Sequence, residues 1–399
     1  MNVQRVHELR NRALFTVLVV GVYLICRTIV LYGVSVDDAA AQSSGAATFI
    51  STMLSGDRYR VTVMALGVAP YINASLLVQI VFAFRNASSR AKISKAQHER
   101  WRFTVSVAFA FAMAVMLVFG LSYEEGAGPL WLLRLISFIE VFAGAMLTNI
   151  LCIQNEKHGV GASMSIILVN IGTSLAQSLD ANHFLSFPYV WVLCLVAIVG
   201  TVFMENSMIR LPLQRVSIHN IHADQNYLAY KRSPMGIMPV MFAASAFLLP
   251  YYLFGALAAL SPDNATLASI ADRMSLTDPQ GAAVYLALII VLSVGFSFLM
   301  LNPKDTGHQL QRNGDSIVGL YAGKRTERFL SRLVLKWSLI SGALQAVCMA
   351  VSLALSIQGD IPVALALIPA SVMIVASICC SLAQEIMSYY RFDAYRFFM

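Results

Sequence analysis

The chain has 399 residues, of which 58% are hydrophobic and 12% are charged, and its formal net charge is +7. One soluble core cannot bury so much apolar surface, so lipid must solvate a large part of it. The composition excludes a single soluble domain and predicts a polytopic membrane protein, all-α in class.

Ten apolar segments are predicted to cross the bilayer, because a span needs about 20 predominantly apolar residues. In chain order they cover residues 13–31, 63–84, 103–121, 129–152, 162–178, 187–206, 236–258, 282–301, 335–356 and 362–384. The first segment is followed by nine more, so it is predicted to be a span and not a cleaved signal peptide.

The distribution of Lys and Arg predicts the orientation of the chain, since positively charged loops stay in the cytoplasm. Only Arg58, Arg60 and Arg273 fall in the predicted outer loops. Most of the basic residues lie at the N-terminus, in loops 85–102, 153–161, 207–235 and 302–334, and in the tail from 385. Both termini are therefore predicted to be cytoplasmic. This topology and attraction to anionic lipids account for the positive net charge, so no nucleic-acid partner is expected.

The predicted outer loop between the first two spans contains a short apolar segment, residues 43–55. Its apolar residues recur at helical spacing and form one face, namely Phe49, Ile50, Met53 and Leu54. The segment is too short to cross the membrane. Two interpretations stay open: a helix that lies on the outer interface, or one that folds back into a cavity as a stopper.

An internal repeat links the second and seventh predicted spans. The pattern Gly-x-x-Pro-x-x-x-Ala begins at Gly67 and again at Gly236, so each residue of the second copy lies 169 positions after its counterpart (236 − 67). The predicted topology sends the first copy inward and the second outward, which makes the two halves inverted repeats. Such repeats build pathways at the membrane midplane. Chance recurrence among small apolar residues is the alternative.

Ionisable residues are scarce inside the predicted spans. Burying a charge in the bilayer costs free energy, so such residues occur there mainly where function requires them. Away from the span ends, the exceptions are Arg27, Arg134 and Glu140. The last two are six residues apart, which does not place them on one helical face. We interpret them as snorkelling or paired with a neighbouring helix. No Ser/His/Asp grouping, phosphate loop or pair of midplane carboxylates appears, so no enzyme activity is predicted.

The six cysteines lie in spans or at their ends, without a disulfide framework or a zinc spacing, and no metal or cofactor is expected. Ion-coupled carriers use a midplane carboxylate or an unwound polar helix, and the chain offers little of either. A ring of apolar side chains can close a pore without any charge. The residues alone therefore leave a channel and a carrier open.

Four motifs make the chain resemble the SecY family of protein-conducting channels, in order and over essentially its whole length. They are residues 64–79, residues 90–94, residues 236–245, and Asn-Pro-Lys-Asp at 302–305 leading to Gly-Asp-Ser at 314–316 and Ala-Gly-Lys at 322–324. Residues 211–222 and 226–230 resemble the accessory SecY branch. Members of that branch export large serine-rich glycosylated adhesins beside the housekeeping channel.

The resemblance implies the SecY fold, in which ten transmembrane helices form two inverted five-helix halves. The N-terminal half would be residues 1–180, with the plug near 43–55. The C-terminal half would be residues 181–399, with the cytoplasmic loops 207–235 and 302–334. A pseudo-two-fold axis in the membrane plane relates the halves, in agreement with the repeat.

Carried over residue by residue, the resemblance implies a constriction ring of apolar side chains. Its members would be Ile72, Leu76, Ile167, Ile171, Met241 and Ile374. The register in the fifth span is uncertain by one residue, so Leu168 and Gly172 are the alternative pair. The resemblance also makes the segment 43–55 the plug and places Asn73 and Gln79 at the lateral gate.

The basic cytoplasmic loops would dock a SecA-type motor ATPase or a ribosome. The docking residues implied are Arg215, Lys231, Arg232, Tyr321, Lys324, Arg325 and Arg328. One departure is informative: housekeeping SecY proteins carry Arg-Pro-Gly where this chain has Tyr-Ala-Gly at 321–323. The loss of that arginine favours a dedicated accessory motor over the general one.

The predicted function is the central pore subunit of a translocase in the bacterial cytoplasmic membrane, passive itself and driven by a separate motor. Its expected partners are an accessory SecA, an unfolded preprotein, SecE-like and accessory small membrane subunits, and anionic lipids. The alternatives are the housekeeping SecY channel, which serves general secretion and membrane insertion, and a secondary solute carrier.

Overall fold

The computed structural model is helical through most of its described length. It describes residues 3–34, 62–83, 94–119, 121, 123–124, 129–181, 187–215, 227–243, 246–247, 278–320, 323–358, 363–366 and 368–394. The helices are α1 (Val3–Arg27), α2 (Ala69–Ala83), α3 (Lys95–Phe119), α4 (Leu130–His158), α5 (Met164–Ala181), α6 (Pro188–Asn206), α7 (Pro279–Leu301), α8 (Pro303–Asn313), α9 (Lys324–Ile357), α10 (Val363–Ala366) and α11 (Ile368–Ala394).

The helices agree with the predicted spans wherever both can be compared. Among the described residues, seven helices are long and apolar enough to cross a membrane, and two shorter apolar helices cover Ala69–Phe82 and Met164–Ala176. Every predicted span except the seventh overlaps one of these helices. Most of the seventh, 236–258, lies outside the described residues, so the count of ten spans stays a prediction.

Three short strands correct the expectation of an all-α chain. They are β1 (Met208–Arg215), β2 (Tyr227–Lys231) and β3 (Asp315–Ile317), antiparallel in the order β2-β1-β3. The predicted loops 207–235 and 302–334 are thus joined in one folded unit. The physical reason is a period of two in β1, where Ile209, Leu211 and Leu213 face inward and their neighbours are exposed.

A small apolar core supports this sheet outside the helical bundle. Leu211 and Tyr230 from the sheet pack with Leu310 of α8 and Leu330 of α9. Burial raises the pKa of Tyr230, so its phenol remains a neutral packing group. The sheet therefore packs on the start of α9 and is not a free hairpin projecting from the membrane domain.

The main core is a single large cluster that joins both predicted halves. It includes Tyr23 of α1, Ile171 of α5, Tyr285 of α7 and Ile374 of α11, all of them almost completely buried. Large apolar side chains on the outer surfaces of the helices are exposed instead, as expected where lipid is the solvent.

The segment 62–68, which precedes α2, is held against α4 and against the residues that follow α1. Val63 N donates to the carbonyl oxygen of Ile29 over 3.0 Å. The Thr148 hydroxyl donates to the sulfur of Met64 over 3.2 Å. A Cβ added to Gly144 would overlap the Val63 carbonyl, so this glycine lets α4 approach the backbone closely.

Candidate functional site

The six residues predicted to form the ring all belong to the main apolar core or pack against it. Ile72, Ile167, Ile171, Met241 and Ile374 are members of the main core, and Leu76 is half-buried against it. Ile374 is completely buried and Ile72 is 8% exposed. These side chains come from α2, α5, α11 and the start of the seventh span. Segments far apart in the chain therefore contribute to one apolar cluster.

The two possible registers of the fifth span differ in burial. Ile167 and Ile171 lie inside the cluster, whereas Leu168 is half-buried against it. A Cβ added to Gly172 would meet no heavy atom within 4 Å. The structure packs the first pair more deeply, and the choice between the pairs as ring residues stays a prediction.

The predicted gate residues lie on α2, where Asn73 is half-buried and Gln79 is exposed. Helix α2 contacts α7, the helix of the eighth span. The seventh span packs on α7 through Phe242 and Phe296, whose ring centroids are 5.0 Å apart. The second, seventh and eighth spans are therefore neighbours, as a lateral gate would require.

A polar network surrounds the start of the seventh span. Gln345 Nε2 of α9 donates to the carbonyl oxygen of Gly236 over 2.7 Å. The hydroxyls of Ser233 and Ser341 form a hydrogen bond of 2.8 Å. A Cβ added to Gly236 would overlap the carboxylate of Glu205. The glycine therefore allows the network to pack directly on the backbone.

Glu205 is a buried acid at the end of α6, and sequence reasoning missed it. Ser377 Oγ donates to its Oε1 over 2.6 Å, and Lys231 Nζ lies 3.7 Å from its Oε2. Lys231 also donates to Gln384 Oε1 over 2.7 Å. A buried carboxylate is tolerated when it is paired and hydrogen-bonded in this way. The one available signal was an acid at the end of an otherwise apolar span.

The predicted docking residues fall into two groups. Three are exposed on the first two turns of α9, namely Lys324, Arg325 and Arg328. Lys231 and Arg232 turn towards the bundle instead: the first pairs with Glu205, and the Arg232 guanidinium carbon lies 4.9 Å from the centroid of the Trp337 ring. These two side chains therefore make internal contacts.

Several predicted residues lie outside the described part of the chain. These are the plug residues Phe49, Ile50, Met53 and Leu54, together with Tyr321. Arg215 belongs to β1, but its side chain is also outside that part. Their roles stay predictions.

Two of the three ionisable residues inside the spans form hydrogen bonds in the structure, and the Arg134 guanidinium carbon lies 5.3 Å from the centroid of the Phe119 ring. Arg27 Nη1 donates to the Thr173 hydroxyl of α5, and Glu140 Oε2 accepts a hydrogen bond of 3.2 Å from Tyr32 N. The interpretation of Arg27 as paired with a neighbouring helix is confirmed. Within the described residues, no group of three or more His, Cys, Asp or Glu side chains is placed to bind a metal.

Comparisons with known proteins support the resemblance to the SecY family. A family model described as SecY matches residues 62–383. The accessory Sec system protein translocase subunit SecY2 of Streptococcus sanguinis (strain SK36) is 24% identical over 396 residues, covering 97% of each chain. The protein translocase subunit SecY of Streptococcus gordonii is 27% identical over 357 residues, covering 83% of this chain and 82% of that one.

A solved structure described as a protein conducting channel has a similar fold. Its TM-score to this chain is 0.69 at 17% sequence identity, and the match covers 96% of this chain and 93% of the other. At that identity the likeness concerns the fold.

Proposed function

The chain belongs to the SecY family, and from this membership we propose that it is the central pore subunit of a protein translocase. It conducts unfolded preproteins across the bacterial cytoplasmic membrane, driven by ATP hydrolysis in a separate SecA-type motor. The chain itself performs no chemistry.

The observation that carries this proposal is the apolar cluster with members from both halves. Ile72 and Met241 occupy equivalent positions of the two repeats, and both are buried in it. A narrow apolar neck excludes water and so limits ion leak without any charged group. Methionine adds a flexible, polarizable side chain that suits a seal around varied polypeptides.

The remaining parts follow from the family pattern. Ten spans form two inverted halves, residues 1–180 and 181–399, with both termini in the cytoplasm. The segment 43–55 is the plug that the preprotein displaces. The second, third, seventh and eighth spans form the lateral gate, with Asn73 and Gln79 hydrogen-bonding across it, and SecE-like and accessory small subunits complete the complex.

We place the channel in the accessory branch, with an accessory SecA as motor and serine-rich glycoprotein adhesins as cargo. The similarity to accessory SecY2 proteins over nearly the full chain supports this assignment. So does Tyr-Ala-Gly at 321–323, where housekeeping channels carry an arginine. The exposed basic residues at the start of α9 are the proposed docking surface for the motor.

A housekeeping SecY channel is the second candidate, favoured by the 27% identity to the Streptococcus gordonii SecY. Deletion of the gene separates the two. Lethality with failure of general secretion indicates the housekeeping channel, whereas viable cells that lose one class of exported protein indicate the accessory one.

The first test places a single cysteine at Met241 in a chain whose six native cysteines are replaced. A preprotein bearing a cysteine is then arrested midway, with its motor and ATP, and disulfide formation is scored. We expect a crosslink that requires both motor and ATP. Leu195→Cys is the matched control, because Leu195 is 64% exposed on the outer surface of α6 and should not crosslink.

A preprotein that is engaged but forms no crosslink at Met241, Ile72 or Ile374 would overturn the ring assignment. The carrier interpretation would then be tested by specific uptake of small solutes into vesicles that contain the purified chain.

A further inference from the structure

Three helices of the N-terminal half are tied together by one carboxylate. Tyr71 of α2 donates its hydroxyl to Glu156 Oε2 of α4 over 2.8 Å. Arg102 of α3 donates from Nη2 to the same oxygen over 2.6 Å. The Arg102 guanidinium carbon also lies 5.1 Å from the centroid of the Tyr71 ring, a cation–π distance.

Arg102 contacts both oxygens of the Glu156 carboxylate. Arg102 Nη1 lies 3.4 Å from Glu156 Oε1, so the guanidinium faces both carboxylate oxygens. Next to it, Lys157 Nζ lies 3.5 Å from Glu99 Oε2 and forms a second ion pair between α4 and α3. The acceptor that Tyr71 contacts is therefore fixed to two helices at once.

Tyr71 immediately precedes the ring residue Ile72 in the chain. The contacts of Ile72 are apolar packing, which is not directional and allows a helix to rotate or slide. A hydrogen bond from a buried phenol to a charged acceptor has a defined geometry and sets the rotation of α2 about its axis.

We propose that Tyr71 is a positioning residue, which uses the Glu156–Arg102 pair as a fixed point and holds Ile72 in the ring. The proposal rests on the proposed function in that Ile72 is a ring member. It adds that the rotation of the second span is set by a polar contact with the third and fourth spans, not by the apolar ring alone.

The variant Tyr71→Phe separates positioning from folding. It removes one hydroxyl and leaves the aromatic ring, its packing and the Arg102–Glu156 ion pair. The matched control is Tyr285→Phe, since Tyr285 is 0% exposed and its hydroxyl has no hydrogen-bond partner among the described residues. Both changes delete a buried phenolic oxygen, but only Tyr71→Phe removes the hydrogen bond to Glu156.

The experiment uses the full-length chain in lipid vesicles, without motor or preprotein. Ile72→Cys or Met241→Cys is introduced singly into the chain whose native cysteines are replaced, and the rate of modification by a water-soluble maleimide is measured. A hydrogen bond to a charged group corresponds to about a tenfold change in a local opening equilibrium. We expect Tyr71→Phe to raise the rate at position 72 about tenfold and to leave the rate at position 241 unchanged.

A second variant tests whether the hydroxyl acts through Glu156. Glu156→Gln weakens the same contact, so we expect it to raise the rate at position 72 and to add nothing when combined with Tyr71→Phe.

Three results would overturn the proposal: an unchanged rate at position 72, an equal rise at positions 72 and 241, or the same rise with Tyr285→Phe. Because no preprotein is present, these results do not depend on the crosslinking test of the pore. Unchanged rates with a crosslink at Ile72 would reject the positioning role and keep the channel.

Discussion

Gly67 and Gly236 adopt the same left-handed backbone conformation, with φ angles of 50° and 57°. Each lies three residues before a proline, and a helical segment begins two residues after it, at Ala69 and Met238. Residues that carry a Cβ rarely adopt this conformation. The repeat in the sequence is therefore also a repeat in backbone structure, which chance recurrence of small residues does not explain.

Replacing Gly236 with alanine should destabilise the fold. The left-handed conformation costs a Cβ-bearing residue about 1–2 kcal/mol, and the added Cβ would also displace the Glu205 carboxylate. We expect Gly236→Ala to lower the free energy of unfolding by at least about 2 kcal/mol, measured by denaturation in detergent.

Gly295→Ala is the control for that substitution. Gly295 lies within α7, and a Cβ there would meet no heavy atom within 4 Å. Alanine should raise stability at this site by about 0.5–1 kcal/mol, because it is the better helix former. Equal losses at the two glycines would contradict the role given to the left-handed turn.

The Lys231–Glu205 pair predicts a stability effect where the sequence predicts motor docking. The Lys231 side chain is 34% exposed and Glu205 is 5% exposed, so Lys231→Met would leave a buried carboxylate without its cation. We expect a loss of about 1–3 kcal/mol in the free energy of unfolding, less than for a fully buried pair.

Adding Glu205→Gln should restore most of this loss, because a neutral amide still accepts a hydrogen bond from Ser377. Lys324→Met, on the exposed start of α9, should change stability by less than about 0.5 kcal/mol. If Lys231→Met changed the free energy of unfolding as little as Lys324→Met, the Lys231–Glu205 pair would not contribute to stability.

These contacts show which parts of the structure the sequence could predict. Span positions depend on local hydropathy, so the predicted segment 187–206 and helix α6 nearly coincide. Strand β1 also had a local signal, the alternation of buried and exposed residues around Leu211. It was not interpreted as a strand because it lies in a segment predicted to be a loop. The pairing of Glu205 with Ser377, 172 residues away, depends on how helices pack, and no local pattern encodes it.

The three exposed basic residues on the first two turns of α9 predict an electrostatic contribution to motor binding. Lys324 and Arg328 are four residues apart, which places them on one helical face beside Arg325. Changing all three to glutamine should weaken binding of the motor to vesicles that contain the channel by about three- to tenfold at low salt.

The difference should shrink as salt rises, because exposed charges are screened beyond about 10 Å at 0.1 M ionic strength. Lys336→Gln, an exposed basic position further along the same helix, is the control and should bind normally. An effect of equal size with Lys336→Gln would mean that net charge, and not this surface, attracts the motor.

The strongest test of the accessory assignment is a single substitution at Tyr321. Housekeeping channels carry arginine there, and the planar guanidinium can bind a carboxylate through two hydrogen bonds, which tyrosine cannot do. If the missing arginine determines which motor the channel works with, Tyr321→Arg should raise ATP-driven translocation with the general SecA relative to the accessory SecA. Tyr321→Gln, which is polar but neutral, should leave that ratio unchanged. If the ratio is also unchanged with arginine, position 321 does not support a dedicated motor. The similarity to accessory SecY2 chains would then be the remaining support for the accessory assignment.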